Sequence, residues 1–160
     1  MTALTVTAPE GLPFVDIERD FDAPAPAVFR AFTDPELFRQ WVGPQGYETG
    51  IRDWQPVDGG RWSFVQSDGH GGAFGFRGSF HTVRENELII QTFEFEGVPD
   101  VVSVETLRFE DLGGGRSRIV GHSVFPTVDA RDGMVASGME QGVREGYEKL
   151  DGLLASVPAS

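Results

Sequence analysis

Gln91, Glu105, Arg108 and Tyr147 are the side chains in this sequence best suited to steering or protonating a bound molecule. Within the run Val101 to Phe109, Glu105 shares parity with Val101, Leu107 and Phe109, a spacing that turns its carboxylate toward the apolar face of a strand. A bulge would flip it outward, so alternation alone leaves both orientations open. Facing inward, the carboxylate needs a partner or a raised pKa, and a raised pKa suits a general acid or base. Tyr147 falls on a helical stripe, where its ring reads as core and its hydroxyl as a group able to orient a ligand.

Other chemistries find less material. The three histidines, His70, His81 and His122, have no histidine or carboxylate partner at ligand spacing, so no metal and no cofactor is expected. Ser137 lacks the glycine-flanked elbow of a hydrolase nucleophile, and no catalytic residue is assigned. The glycine runs Gly69 to Gly72 and Gly113 to Gly115 lack the Lys-Ser/Thr that follows a phosphate loop, and read as turns.

The elements that would hold these groups follow from periodicity. Val135, Met139, Val143, Tyr147, Leu150 and Leu154 recur at steps of four or three, predicting one long terminal helix over 129–157, capped by Thr127 or Asp129 and stopped by Pro158. Gly138, Gly142 and Gly146 form a second row on it, each costing about 1 kcal/mol relative to alanine. Close packing against a sheet and room left for a ligand both account for such a row. Residues 1–12 read as a flexible arm, and 13–157 as a single domain. Phe14 to Phe21 predicts a strand, and Pro26 and Asp34-Pro35 open two short helices. Six strands separated by turn formers then span about 48–55, 61–67, 74–84, 87–96, 101–110 and 117–125. Trp62 and Phe64, then Phe74, Phe76 and Phe80, then Phe93 and Phe95, fall on same-parity positions and give the sheet one aromatic face. The expected fold is α+β: a curved antiparallel sheet of about seven strands wrapped around the terminal helix, a helix-grip arrangement.

Composition narrows the partners. The 160 residues carry 25 acidic against 13 basic side chains, a formal net charge of -12, which repels phosphate backbones and anionic lipids. Nucleic acid and membrane insertion are not expected, and without cysteine or a signal-like start the default address is the cytoplasm. A homodimer is a candidate assembly.

Several stretches together resemble one family. These are Arg19 to Pro24, Val28 to Trp41, Gly59-Gly60-Arg61-Trp62, Phe76 to Phe80, Ile90 to Phe93, Phe109 to Asp111, Gly114 to Ile119, Gly138 to Gly142 and Tyr147 to Asp151. They are similar, in order, to the family of activators of the heat-shock protein 90 ATPase, within the START/Bet v 1 superfamily. The resemblance implies a helix-grip fold with a cavity between sheet and helix, in which superfamily members hold lipids, hormones or polyketides.

The leading expectation is therefore binding of a small hydrophobic or aromatic molecule in that cavity, lined by Trp41, Trp62, Phe64, Phe76, Phe80, Gln91, Phe93, Glu105, Met139 and Tyr147. The alternatives are a polyketide cyclase, aromatase or dehydratase acting through Glu105, Tyr147 or Arg108, and a chaperone-modulating interaction module suggested by the family name.

Overall fold

The computed structural model describes residues 3–156. Its eight strands are β1 (Thr5–Thr7), β2 (Phe14–Phe21), β3 (Glu48–Trp54), β4 (Arg61–Ser67), β5 (Ala73–Arg84), β6 (Leu88–Phe95), β7 (Val102–Gly113) and β8 (Arg116–Val124). They form one antiparallel sheet in the order β1-β2-β8-β7-β6-β5-β4-β3. From β3 to β8 the chain meanders. The exception is β2, which pairs with β8 from Phe14↔Val124 to Phe21↔Ser117 and so joins the two ends of the chain. Bulges between Ile51 and Asp53, Phe80 and Thr82, and Asp111 and Gly113 add local twist and bend the sheet.

Four helices complete the fold: α1 (Ala25–Thr33), α2 (Pro35–Trp41), α3 (Val128–Ala136) and α4 (Met139–Ser156). The proline signals hold at both short helices. The Asp34 carboxylate accepts from the Glu36 N–H and caps α2, leaving Pro35 where no backbone donor is needed. Thr127 caps α3 in the same way, accepting from the Ala130 N–H.

Two expectations need correction. The terminal helix is not continuous: Gly138, at φ +91°, breaks it into α3 and α4, a conformation that side-chain-bearing residues rarely adopt. Val135 consequently leaves the buried stripe and is 38% exposed on α3. The stretch 1–12 is not wholly a loose arm, because Thr5–Thr7 add an eighth strand by pairing with Asp16–Glu18 of β2. The end of the expected helix at Val157, its Pro158 stop and the boundary of the domain at 157 lie outside the described residues.

The core sits between the inner face of the sheet and α1, α2 and α4. Phe21, Ile89, Ile119, Leu150 and Val28 are almost fully buried there. Aromatic rings supply much of the packing: Phe32 meets Trp41 at 4.7 Å between centroids, Phe29 meets Phe109 edge-on at 5.2 Å, and Trp41 lies 5.8 Å from Tyr147. The glycine row splits by position. A Cβ at Gly146 would lie 3.1 Å from the Trp41 carbonyl oxygen, so there the helix backbone packs closely against the end of α2. A Cβ at Gly142 would meet only Pro44 Cγ, at 3.9 Å.

Candidate functional site

The inner face of β2, β6, β7 and β8 is set by alternation, and its burial is uneven. Along β7, Ser103 and Phe109 are buried whereas Glu105 and Leu107 between them are not fully covered. On β2, Val15 and Arg19 are buried and Ile17 between them is only half-buried; on β8, Ser117 and Ile119 are buried and Ser123 is half-buried. The registers Gln91↔Glu105 and Glu105↔Ser123 set half-buried positions side by side, whereas Gly121, between Leu107 and Ile17, is buried against their side chains. A partly exposed island thus lies on this face between buried positions of β2 and β7. From Gln91 it continues along β6 to Phe93 and the half-buried rings of Phe76 and Phe95, the Phe76 centroid lying 5.6 Å from that of Phe93 and 5.2 Å from that of Phe95.

Glu105 occupies the centre of the island, as its parity predicts. Its Oε1 accepts from the Gln91 amide at 2.9 Å, and the Ser123 hydroxyl on the opposite strand also donates to it. Burial pushes the Glu105 carboxyl above the usual carboxylate range, and these two donors only partly offset it. On α4, Tyr147 packs its ring against Phe21, Phe32 and Trp41, at 5.4, 6.4 and 5.8 Å between centroids. Burial, then the Glu105 charge, raise its phenol, and the nearby Arg19 works against both. Tyr147 is 5% exposed, and its hydroxyl has no hydrogen-bonding partner among the described residues. Among the described residues, the side-chain atoms that are both sealed from solvent and unpartnered are Thr49 Oγ1 and Trp62 Nε1.

Arg19 is the feature that sequence reasoning missed. It is 4% exposed, sits 4.7 Å from the Phe21 ring centroid and 6.0 Å from that of Tyr147, and forms a forked pair with Asp151 at 2.6 and 2.7 Å. The pair ties β2 to α4 through two parallel N–H···O bonds. Its signal was available, since Arg19 shares parity with Ile17 and Phe21. Asp151 lies one helical turn after Tyr147, on the same side of α4.

The structure separates the other expected site residues. Gln91, Phe93 and Glu105 lie in the island and Phe76 extends it, whereas Tyr147 is buried against Phe21, Phe32 and Trp41. Trp62, Phe64 and Phe80 are inward but buried, with Trp62 and Phe64 stacked at 5.5 Å. Trp41 is 4% exposed and its indole N–H donates to the Ala31 carbonyl at 2.9 Å, fixing α2 on α1. Met139 is half-buried at the start of α4. Arg108 is exposed on the opposite face of β7 and does not join Glu105. The histidines are scattered: His122 Nδ1 lies 2.5 Å from Asp16 Oδ1, His81 contacts Thr82, and His70 is in the β4–β5 loop.

The outer face of the sheet offers weaker material. A concavity of about 490 Å³ is lined by Arg52, Arg61, Arg77, Glu94 and Glu96, yet Arg52 pairs with Glu96 at 3.0 Å and Arg77 with Glu94 at 2.9 Å. Val102, Val104 and Val124 form a small exposed apolar strip beside it. Among the described residues no helix is long and apolar enough to cross a membrane.

Comparison with known proteins agrees with this architecture. A protein from Rhodobacter sphaeroides superimposes with a TM-score of 0.87 at 23% identity, covering 97% of this chain and 100% of its own. One from Arthrobacter aurescens gives 0.86 at 24%, covering 98% and 93%. The AHSA1 protein of Silicibacter pomeroyi gives 0.72 at 21%, covering 89% and 97%. At these identities the likeness is one of fold. No curated protein matches the chain. The model of the family described as activator of Hsp90 ATPase homolog 1-like protein matches residues 22–155. That match spans most of the sheet and all the helices described above, and the chain therefore belongs to this family.

Proposed function

We propose that the protein is a cytoplasmic receptor for a small hydrophobic or aromatic molecule, held between the inner face of the sheet and α4. The observation that carries this reading is the partly exposed island at Ile17, Gln91, Phe93, Glu105, Leu107 and Ser123, flanked on β2 and β7 by buried inner-face neighbours. A solid core would bury the middle of the face before its margins. The walls suit an apolar guest: leucine and isoleucine on one side, the rings of Phe93 and Phe76 on the other, and few polar groups to fix its orientation. The family's fold commonly holds hydrophobic ligands, which supports the same reading.

An enzyme reading draws on a narrower observation. The inward Glu105 keeps its proton to higher pH than an exposed glutamate and so has the character of a general acid, whereas Arg108 has no part in it. Titration with two-ring and three-ring aromatic probes, followed by native mass spectrometry and tryptophan fluorescence, tests the receptor. Binding at 1:1 with micromolar affinity is expected. Absence of binding by every probe rejects the reading and leaves the outer valine strip, as a protein contact, to be tested instead.

A further inference from the structure

The geometry points to a second binding site, on the outer face of the sheet, that takes a small zwitterion of the amino-acid type bearing an apolar side chain. It lies across the sheet from the space under α4 and does not depend on the receptor reading. The place is the concavity of about 490 Å³ lined by residues of β3 to β7, within the range of about 300–1,000 Å³ usual for small-molecule sites.

Its floor is open where a sheet is normally closed. Between Arg77↔Glu94 and Phe80↔Gln91 the pairing of β5 with β6 lapses, and the Ser79 N–H donates to the Thr92 hydroxyl at 2.9 Å. Gly78 stands at this gap, and a Cβ there would collide with the Thr92 carbonyl oxygen and with Cε2 of the Trp62 indole. Cε2 is bonded to Nε1, so the same place holds a donor that is sealed from solvent and has no partner, in a residue only 3% exposed. Gly78 and Trp62 both line the concavity. A buried donor left unpaired costs about 1–3 kcal/mol, and an acceptor oxygen seated at Gly78 would remove that cost.

Charge decides the class of guest. Arg52 is paired with Glu96 and Arg77 with Glu94, at 3.0 and 2.9 Å, which leaves one cation and one anion over. Arg61 gives its backbone N–H to the Gln55 side chain and keeps its guanidinium free, and Asp53 accepts from the Ser63 hydroxyl at 3.5 Å; among the described residues neither forms an ion pair. Asp53 lies opposite Ser63, two residues from Arg61 on the same face of β4, a diagonal of about 7–8 Å that a molecule carrying both charges can bridge. A free anion would be opposed by the net charge of -12 and by Asp53, Glu94 and Glu96, and a bare cation by Arg52, Arg61 and Arg77. A zwitterion meets neither objection: its carboxylate turns to Arg61 and the Trp62 N–H, its ammonium group to Asp53. Val102, 40% exposed at the edge of the concavity, offers the apolar contact for a side chain.

NMR titration of the full chain tests the site with L-leucine, with N-acetyl-L-leucine, which lacks the ammonium group, and with L-leucinamide, which lacks the carboxylate. Leucine is expected to bind about tenfold tighter than either blocked analogue, with the Trp62 indole N–H signal and the amides of Arg77–Ser79 moving together. Arg61→Gln should weaken leucine about tenfold and leave the affinity for leucinamide unchanged, and Asp53→Asn should weaken leucine equally while sparing N-acetyl-leucine. Both side chains are exposed, and unchanged melting temperatures check that the variants have folded. Three probes that bind alike, leucine binding that neither substitution weakens, or a Trp62 indole signal that stays still would each overturn the site, as would a spectrum unmoved by tens of millimolar leucine. None of these outcomes bears on the space under α4, which the two-ring and three-ring aromatic probes report separately.

Discussion

Glu105 has to reconcile a charge with an enclosed setting, and the consequence is a stability that depends on pH. In the unfolded chain it ionises near the ordinary glutamate value, about 4.3. In the fold burial raises that value, so between the two the native state binds more protons than the unfolded state and loses stability as pH rises. The loss persists at neutral pH, where the unfolded chain is fully ionised. Glu105→Gln removes the ionisable group but retains the shape and can accept from Gln91 and Ser123. Its melting temperature at pH 7.5 should exceed the wild type's by roughly 2–4 °C, the equivalent of about 1 kcal/mol in a chain of this length. At pH 4 the difference should vanish, and an equal gain at both pH values would show that ionisation is not the cause. At this scale the sequence was readable where parity ran unbroken. Glu105 and Arg19 both sit on clean alternation and both point inward, whereas the loss of Arg108 from the site is the same rule applied three residues after Glu105, an odd step. What alternation could not show is that Tyr147's hydroxyl would be left alone, because that depends on what the facing strands do not offer.

Among the elements, the helix pair α3–α4 shows how one residue type serves different ends. Gly138, Gly142 and Gly146 are equally spaced and look alike in sequence, but the first breaks the helix at positive φ, the second touches almost nothing and the third lets α4 lie against the end of α2. Alanine substitutions should therefore differ in sign. Gly142→Ala should stabilise by about 0.5–1 kcal/mol, the helix propensity difference alone. Gly146→Ala should destabilise by about 1 kcal/mol or more, since its neighbours are backbone atoms that cannot swing aside. Gly138→Ala should cost about 1–2 kcal/mol for the left-handed conformation. Urea unfolding of the three variants checks the order, and a stabilising Gly146→Ala would refute the close approach. The break at Gly138 was hidden because the hydrophobic period runs on through it, from Val135 to Met139. β1 was hidden for a different reason: three residues of Thr-Val-Thr are too short for a period to register, and its strand exists only because β2 presents an edge to pair with.

For the molecule as a whole, the meander, the two proline-led helices and the covering helix were readable because each is signalled locally by turn formers, prolines or spacing. The pairing of β2 with β8 has no local signature. Some hundred residues separate Phe14 from its partner Val124 and Phe21 from Ser117, and only the requirement that the inner face be closed brings them together. This single non-local ladder governs how the protein comes to be made. A ribosome delivers Phe14–Phe21 long before Arg116–Val124, so the early strand must wait as an unpaired edge until nearly the whole chain has emerged. Refolding should accordingly be slow, with β2 protected from hydrogen exchange only in the last phase. Pulse-labelled hydrogen exchange during refolding checks this, and early protection of Phe14–Phe21 would refute it. Nascent chains halted before β8 should be the species that chaperones hold and proteases find.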